Sequence, residues 1–424
     1  MSLSIFDTAA LLVVLASIFG FANHHLLKLP FAIGMTVSAL LASLLIMGID
    51  VVLPQVGLGQ VVRQALSEVD FSETLMKGML GFLLFAGALH VNADDMKARL
   101  TPIITLATLG VMISTAIVGF GSHALFGALG VDISLAWCLV FGALISPTDP
   151  VAVLGIMKAA GAQEGHSIKV VGESLFNDGV GVVVFTLLVA FAAGPEAGYG
   201  AISAASIGKV LLVEVVGGIA LGLISGLITY KALKSLNEPN LETLISVALV
   251  MGVTFLAFKL HTSAPLACVV AGLFIGNRGR DKAMSEDTKL TLDRVWAFLD
   301  EALNAVLFLL IGLILLNLDL GGPLLLAAAL AIPLTLAARF ISVSLPISLL
   351  QRRFTFTPGA IKILTWGGLK GGISVALALS LPPFEGRSVV LGATYAAVLF
   401  SIIVQGLTVG TLIKSINKKA AQGA

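Results

Sequence analysis

Apolar runs of about 18–25 residues recur along almost the whole chain, separated by short polar turns, and each is long enough to cross roughly 30 Å of hydrocarbon as a helix. The pattern predicts spans at 5–22, 30–48, 74–91, 102–122, 133–158, 168–193, 203–230, 241–258, 262–277, 291–316, 322–350, 358–381 and 388–415. This describes an all-α integral membrane protein of about 13 transmembrane helices, an odd number that leaves the termini on opposite sides of the bilayer.

Two of these spans cannot be ordinary helices. The fifth contains Ser146-Pro147-Thr148-Asp149-Pro150, and two prolines flanking a carboxylate break the helical ladder. The twelfth contains Gly367-Gly368-Leu369-Lys370-Gly371-Gly372, where four glycines around a lysine weaken it as well. Taking 203–230 as a linker helix leaves 1–202 and 241–419 as two six-helix halves of opposite orientation, each interrupted at its fifth helix. The core helices then fall in 102–193 and 322–415, with 420–424 a short cytoplasmic tail. Matched interruptions in inverted repeats point to a substrate site near the bilayer midplane.

Composition agrees with the pattern. Hydrophobic residues make up 58% of 424 positions and charged residues 12%, about half the charged share of a soluble domain, and the mean hydropathy is +1.04. A net charge of +1 excludes an electrostatic case for nucleic-acid binding. Cys138 and Cys268 both lie in apolar runs, so neither a disulfide framework nor a bound metal cofactor is expected. The first apolar run lacks a basic leader and a small-residue cleavage site, and reads as a span rather than a signal peptide. With the C-terminus inside, roughly 16 of the 25 lysines and arginines face the cytoplasm, among them Lys97, Arg99, Lys158, Arg278, Arg280 and Arg352. That bias predicts N-terminus out and C-terminus in, within a bacterial plasma (inner) membrane.

The candidate chemistry sits in the few polar positions inside spans. Gly172-Glu173-Ser174-Leu175-Phe176-Asn177-Asp178 places two carboxylates and an amide in an apolar helix, each charge costing roughly 2.5–3.5 kcal/mol to insert. Helical spacing stacks Glu173 with Asn177 and Ser174 with Asp178, the two pairs about 100° apart. One carboxylate can therefore face a cavity while the other finds a partner. Asp178 is the candidate binding carboxylate; its rival role is a helix-packing hydrogen bond. At the first break, freed carbonyls and hard oxygens near Thr148 suit a small cation. For Asp149 and Lys370 two readings are open, a part in the ion site or compensation of the helix-end charges where the broken helices meet. Arg339, in the middle of the eleventh span, needs a carboxylate, and Glu173 is the candidate partner. Asp300 and Glu301 either line a funnel or cap a helix. His24, His25 and His261 lie near span ends, and 49–73, with Asp50, Glu68 and Asp70, reads as an external amphipathic connector.

Taken in order, these segments resemble the monovalent cation/proton antiporters, specifically the NhaP/NHE-like sodium/proton exchangers. The resemblance rests on Ser146-Pro147-Thr148-Asp149-Pro150-Val151-Ala152-Val153, Glu173-Ser174-Leu175-Phe176-Asn177-Asp178, His261-Thr262-Ser263-Ala264-Pro265, Leu307-Phe308-Leu309-Leu310-Ile311-Gly312 and Trp366-Gly367-Gly368-Leu369-Lys370-Gly371-Gly372, and extends over essentially the whole chain. It implies the NhaA-like antiporter fold, a mobile core domain and a homodimer. It also implies that Asp178 binds Na+, with Ser174 and the Thr148 main chain as ligands, and that Glu173 and Arg339 form a core ion pair. The Asn177–Asp178 pair resembles the mark of the electroneutral branch. Lys370 stands where many relatives carry arginine. Ala86 appears where some archaeal relatives place a glutamate.

The expectation is a transporter rather than an enzyme, exchanging Na+ or Li+ for H+ one to one by competition at Asp178 and alternating access, and serving pH homeostasis. The alternatives are K+ or NH4+ as the cargo on the same fold, an intramembrane aspartyl protease using Asp149 and Asp178, and a passive channel. A protease dyad needs both carboxylates around one proton, which the proline-flanked break does not favour.

Overall fold

The computed structural model describes residues 5–55, 57–67, 71–150, 153, 155–157, 160–161, 164–194, 204–317, 321–354, 356 and 359–422. Val151, Ala152 and Lys158, the connector residues Glu68 and Asp70, and the boundary at 202–203 lie outside them. Among the described residues every regular element is helical, and the one β feature is an isolated bridge between Asp149 and Leu369.

Among the described residues, ten helices are long and apolar enough to cross a membrane: α1 Ala9–Leu27, α2 Phe31–Val52, α3 Phe71–Leu89, α4 Leu100–Ala128, α6 Lys169–Ala193, α7 Gly208–Lys234, α8 Pro239–Leu260, α10 Glu286–Leu316, α11 Leu324–Leu350 and α14 Arg387–Lys419. Shorter pieces stand between them: α5 Leu135–Ile145, α9 Ala264–Phe274, α12 Ala360–Trp366 and α13 Gly372–Leu379. The count of thirteen predicted crossings treats α5, α9 and the α12–α13 pair as one span each. Helix ends follow local chemistry. Ser263 caps α9 by accepting from the Leu266 N–H, with Pro265 in the first turn, and Ser285 caps α10 in the same way through Thr288. The segment predicted as an amphipathic connector contains a helix at Leu58–Ser67.

The helices pack in two groups. One joins α4, α5, α6, α11 and α14 around the broken pieces; the other joins α2 to α10, α3 and α8 to both α9 and α10, and α7 to α8 and α9. Both are lined by buried aliphatic and aromatic side chains, among them Phe126 and Phe141 in the first group and Phe85 and Trp296 in the second. In lipid the outward faces gain nothing by burial. Stability therefore comes from close packing and from satisfying the few buried polar groups, as where Trp296 Nε1 donates to Ser246 Oγ at 2.8 Å.

Candidate functional site

Where the two broken helices cross, the main chains bond to each other: the Asp149 N–H donates to the Leu369 carbonyl at 2.8 Å. Breaking a helix leaves carbonyls without donors at its C-terminal end. At the end of α5, Lys370 Nζ donates to the Ser146 and Pro147 carbonyls at 3.0 and 3.3 Å. At the end of α12, Arg339 donates to the Leu364 carbonyl at 3.0 Å and Gln405 Nε2 to that of Trp366 at 3.1 Å. A cation thus sits at the negative end of each half-helix. The Lys370 N–H is held by Ser401 Oγ at 2.8 Å. At the opposite pole, the Asp149 carboxylate lies against Gly371, the residue before the first turn of α13, and a Cβ there would overlap it. Gly368 is excluded from carrying a side chain by the Arg339 guanidinium in the same way.

Helix α6 distributes its polar residues over two directions. Glu173, 1% exposed, takes a two-pronged contact from Arg339 at 2.5 and 3.1 Å. The planar guanidinium matches both carboxylate oxygens and keeps a donor for Leu364. One turn on, Asn177 Nδ2 donates to Thr148 Oγ1 at 2.9 Å, and the Thr148 N–H donates to Asn177 Oδ1 at 3.3 Å. Thr148 Oγ1 also lies 3.1 Å from Ser174 Oγ. The Thr148 main chain therefore meets α6 through its N–H, which Asn177 occupies.

Asp178 is 3% exposed, and its Oδ1 has no hydrogen-bond partner among the described residues. It lines a cavity of about 520 Å³ together with Asp149, Leu175, Leu307, Ile373, Asn304 and Asp300, and the cavity reaches His90, Asn92 and Asp95 at the turn after α3. A carboxylate oxygen so placed carries the full desolvation cost of its charge unless a proton or a cation occupies it. The structure thus brings Thr148, Asp149, Ser174, Asn177 and Asp178 to one crossing, with Glu173–Arg339 beside it and Lys370 beneath. Ala86 packs in the cluster around Trp296, whereas Leu83, Leu84 and Gly87 of the same helix line the cavity. His24 and Glu301 line a different cavity, near Lys28.

Sequence reasoning missed the contributions of Ser401, Gln405 and Asn304. All three are buried polar residues in apolar helices, and that mismatch was the available signal. Nothing in the pattern said which main-chain atoms they would meet.

The whole-chain pattern of the family described as "Sodium/hydrogen exchanger, transmembrane" matches residues 10–415. The chain is 42% identical over 419 residues to the Na(+)/H(+) antiporter NhaP of Pseudomonas aeruginosa, covering 97% of this chain and 96% of that protein. It is 36% identical to the Na(+)/H(+) antiporter NhaH of Halobacillus aidingensis, covering 83% and 85% of the two. Its fold matches the solved structure of the sodium proton antiporter MjNhaP1 from Methanocaldococcus jannaschii with a TM-score of 0.72 at 18% identity, over 96% of this chain and 97% of that one.

Proposed function

The chain belongs to the sodium/hydrogen exchanger family, and from that premise we propose that it exchanges Na+ for H+ across a bacterial plasma membrane, one ion per proton, by competition at Asp178. It is a multi-pass membrane transporter. The observation that carries the site assignment is the Asp178 oxygen without a partner among the described residues, on a residue buried at the crossing of two broken helices and lining a cavity of about 520 Å³. Asp178 takes a proton or a dehydrated Na+, never both. In this reading Ser174 Oγ, Thr148 and Asp149 supply further oxygens. Asn177 is neutral and tied to Thr148, so it shapes the break without adding charge.

Glu173 is neutralised by Arg339, and this pair fastens α6 to α11 and α12. Lys370 and Asp149 offset the helix-end charges at the crossing. One exchangeable carboxylate then moves one positive charge in each direction, which makes the cycle electroneutral. An empty, charged Asp178 should not cross the membrane, since burying an unpaired carboxylate is costly. Alternating access follows as movement of the α4–α6 and α11–α14 group, with 1–202 and 241–419 as inverted repeats around the 203–230 linker. The paired interruptions at α5 and at α12–α13 support that symmetry.

With the N-terminus outside and the C-terminus cytoplasmic, the cavity opens inward, because Asn92 and Asp95 lie beside Lys97 and Arg99 on the side rich in basic residues. Li+ as a second cargo and a homodimer go with this reading.

The test is exchange in proteoliposomes. A Na+ gradient is imposed and lumenal pH is followed, with and without an uncoupler, for Na+, Li+ and K+. Asp178→Asn should abolish the signal. Retained exchange removes the assignment, and cation flux without proton movement makes the protein a channel.

A further inference from the structure

A residue lining the cavity that holds Asp178 carries a second orphaned acceptor among the described residues. Asn304, on α10, is 3% exposed. Its Nδ2 donates to the Asp300 main-chain carbonyl at 2.8 Å and to Asp300 Oδ1 at 3.1 Å. The main-chain carbonyl is an acceptor only, and so is the carboxylate when ionised. The amide nitrogen therefore faces them, and Oδ1 is buried with no donor among the described residues. Asn304 and Asp300 both line the cavity that also holds Asp178. Among the described residues, the carboxylates lining it are Asp95, Asp149, Asp178 and Asp300, and His90 is the one lining residue able to carry positive charge. Such a wall concentrates cations.

We infer that Asp300 and Asn304 form a second, transit cation subsite between the cavity mouth and Asp178. A hard monovalent cation prefers oxygen ligands, and the pair offers a carboxylate and an amide oxygen one helical turn apart. A Na+ ion arriving from the mouth exchanges part of its water shell here, with the amide oxygen completing what it has lost. It then moves on to Asp178, where the proton is displaced. Losing the water in two stages lowers the barrier compared with losing it in one. The inference rests on the exchange reading, in that Asp178 is the terminal site.

Equilibrium binding of 22Na+ to purified full-length protein tests it. In Asp178→Asn, saturable binding of about one ion per chain should persist, with weaker affinity than in the unaltered protein, and Asp178→Asn/Asp300→Asn should lose it. If Asp178→Asn binds no Na+ saturably, the subsite is refuted while the Asp178 assignment stands. If Asp178→Asn binds as tightly as the unaltered protein and Asp300→Asn changes nothing, both readings fail. In liposomes, Asn304→Ala should raise the half-saturating Na+ concentration about tenfold, ahead of any loss in maximal rate. Asn304→Asp, which keeps an oxygen at that place, should restore it. A fall in maximal rate with unchanged half-saturation in both Asn304→Ala and Asp300→Asn means a packing role and overturns the proposal.

Discussion

Replacing Arg339 with alanine isolates the structural part of the site. In the intact protein both Glu173 oxygens rest on the guanidinium, at 2.5 and 3.1 Å, and the same group donates to the Leu364 carbonyl at 3.0 Å. Truncation strands a carboxylate of 1% exposure and removes a donor from the last turn of α12. Charge-assisted hydrogen bonds are each worth about 1.5–3 kcal/mol, but three made by one group do not add. Breaking a buried pair by removing one partner costs about 3–5 kcal/mol as a whole. Glu173→Gln should cost less, roughly 1–3 kcal/mol, because it removes the charge and leaves Arg339 bonded to Leu364. The double variant Glu173→Gln/Arg339→Gln should recover part of the loss, giving a coupling energy of about 1.5–3 kcal/mol. The assay is the temperature at which half of the purified, detergent-solubilised protein leaves its monodisperse peak. A 150–250-residue domain shifts by about 2–4 °C per kcal/mol. For a longer chain, Arg339→Ala should therefore fall by about 4–8 °C. A shift under about 2 °C, with the double variant equal to the sum of the singles, would refute the claim that this pair holds α6, α11 and α12 together.

Three further outcomes are expected. Lys370→Met should lower stability by about 1–3 kcal/mol and exchange at least tenfold, because two carbonyls lose their donor; Lys370→Arg should recover most of both, and equal losses in the two variants would argue against carbonyl capping. Gly371→Ala should eliminate exchange by driving a methyl into the Asp149 carboxylate, whereas Gly127→Ala, with no heavy atom near its Cβ, should be silent; proteoliposome rates compare the two. Imposing 100 mV across the vesicle membrane should leave the exchange rate unchanged. A cycle moving one net charge would feel about 2.3 kcal/mol, so a strong voltage response would exclude one-to-one exchange.

Much of the architecture was legible in the chain. A spanning helix must satisfy its own backbone in lipid, so length and hydropathy identify it without tertiary context, and the ranges of α2, α8 and α11 differ from the predicted spans by a few residues. The breaks were equally legible, since Pro147, Pro150 and the glycines around Lys370 act on their own backbone. Limits appeared where an end depends on neighbours. The fourth span continues to Ala128 and the last to Lys419, because polar residues there are accommodated by packing and by the membrane surface.

The sequence by itself determined which residues had to be explained: carboxylates, an arginine and a lysine inside apolar helices carry a desolvation cost that no local contact can cover. Spacing along α6 also determined that Glu173 and Asp178 face different ways. Only the tertiary structure decided the pairing. Glu173 and Arg339 are 166 positions apart, and Lys370 reaches carbonyls 223 and 224 positions away. Such partners are chosen by the angles at which helices cross, and those angles come from the packing of whole faces. The same packing left one oxygen of Asp178 and one of Asn304 without donors among the described residues, on side chains that line a shared cavity, and no one-dimensional pattern records such an outcome.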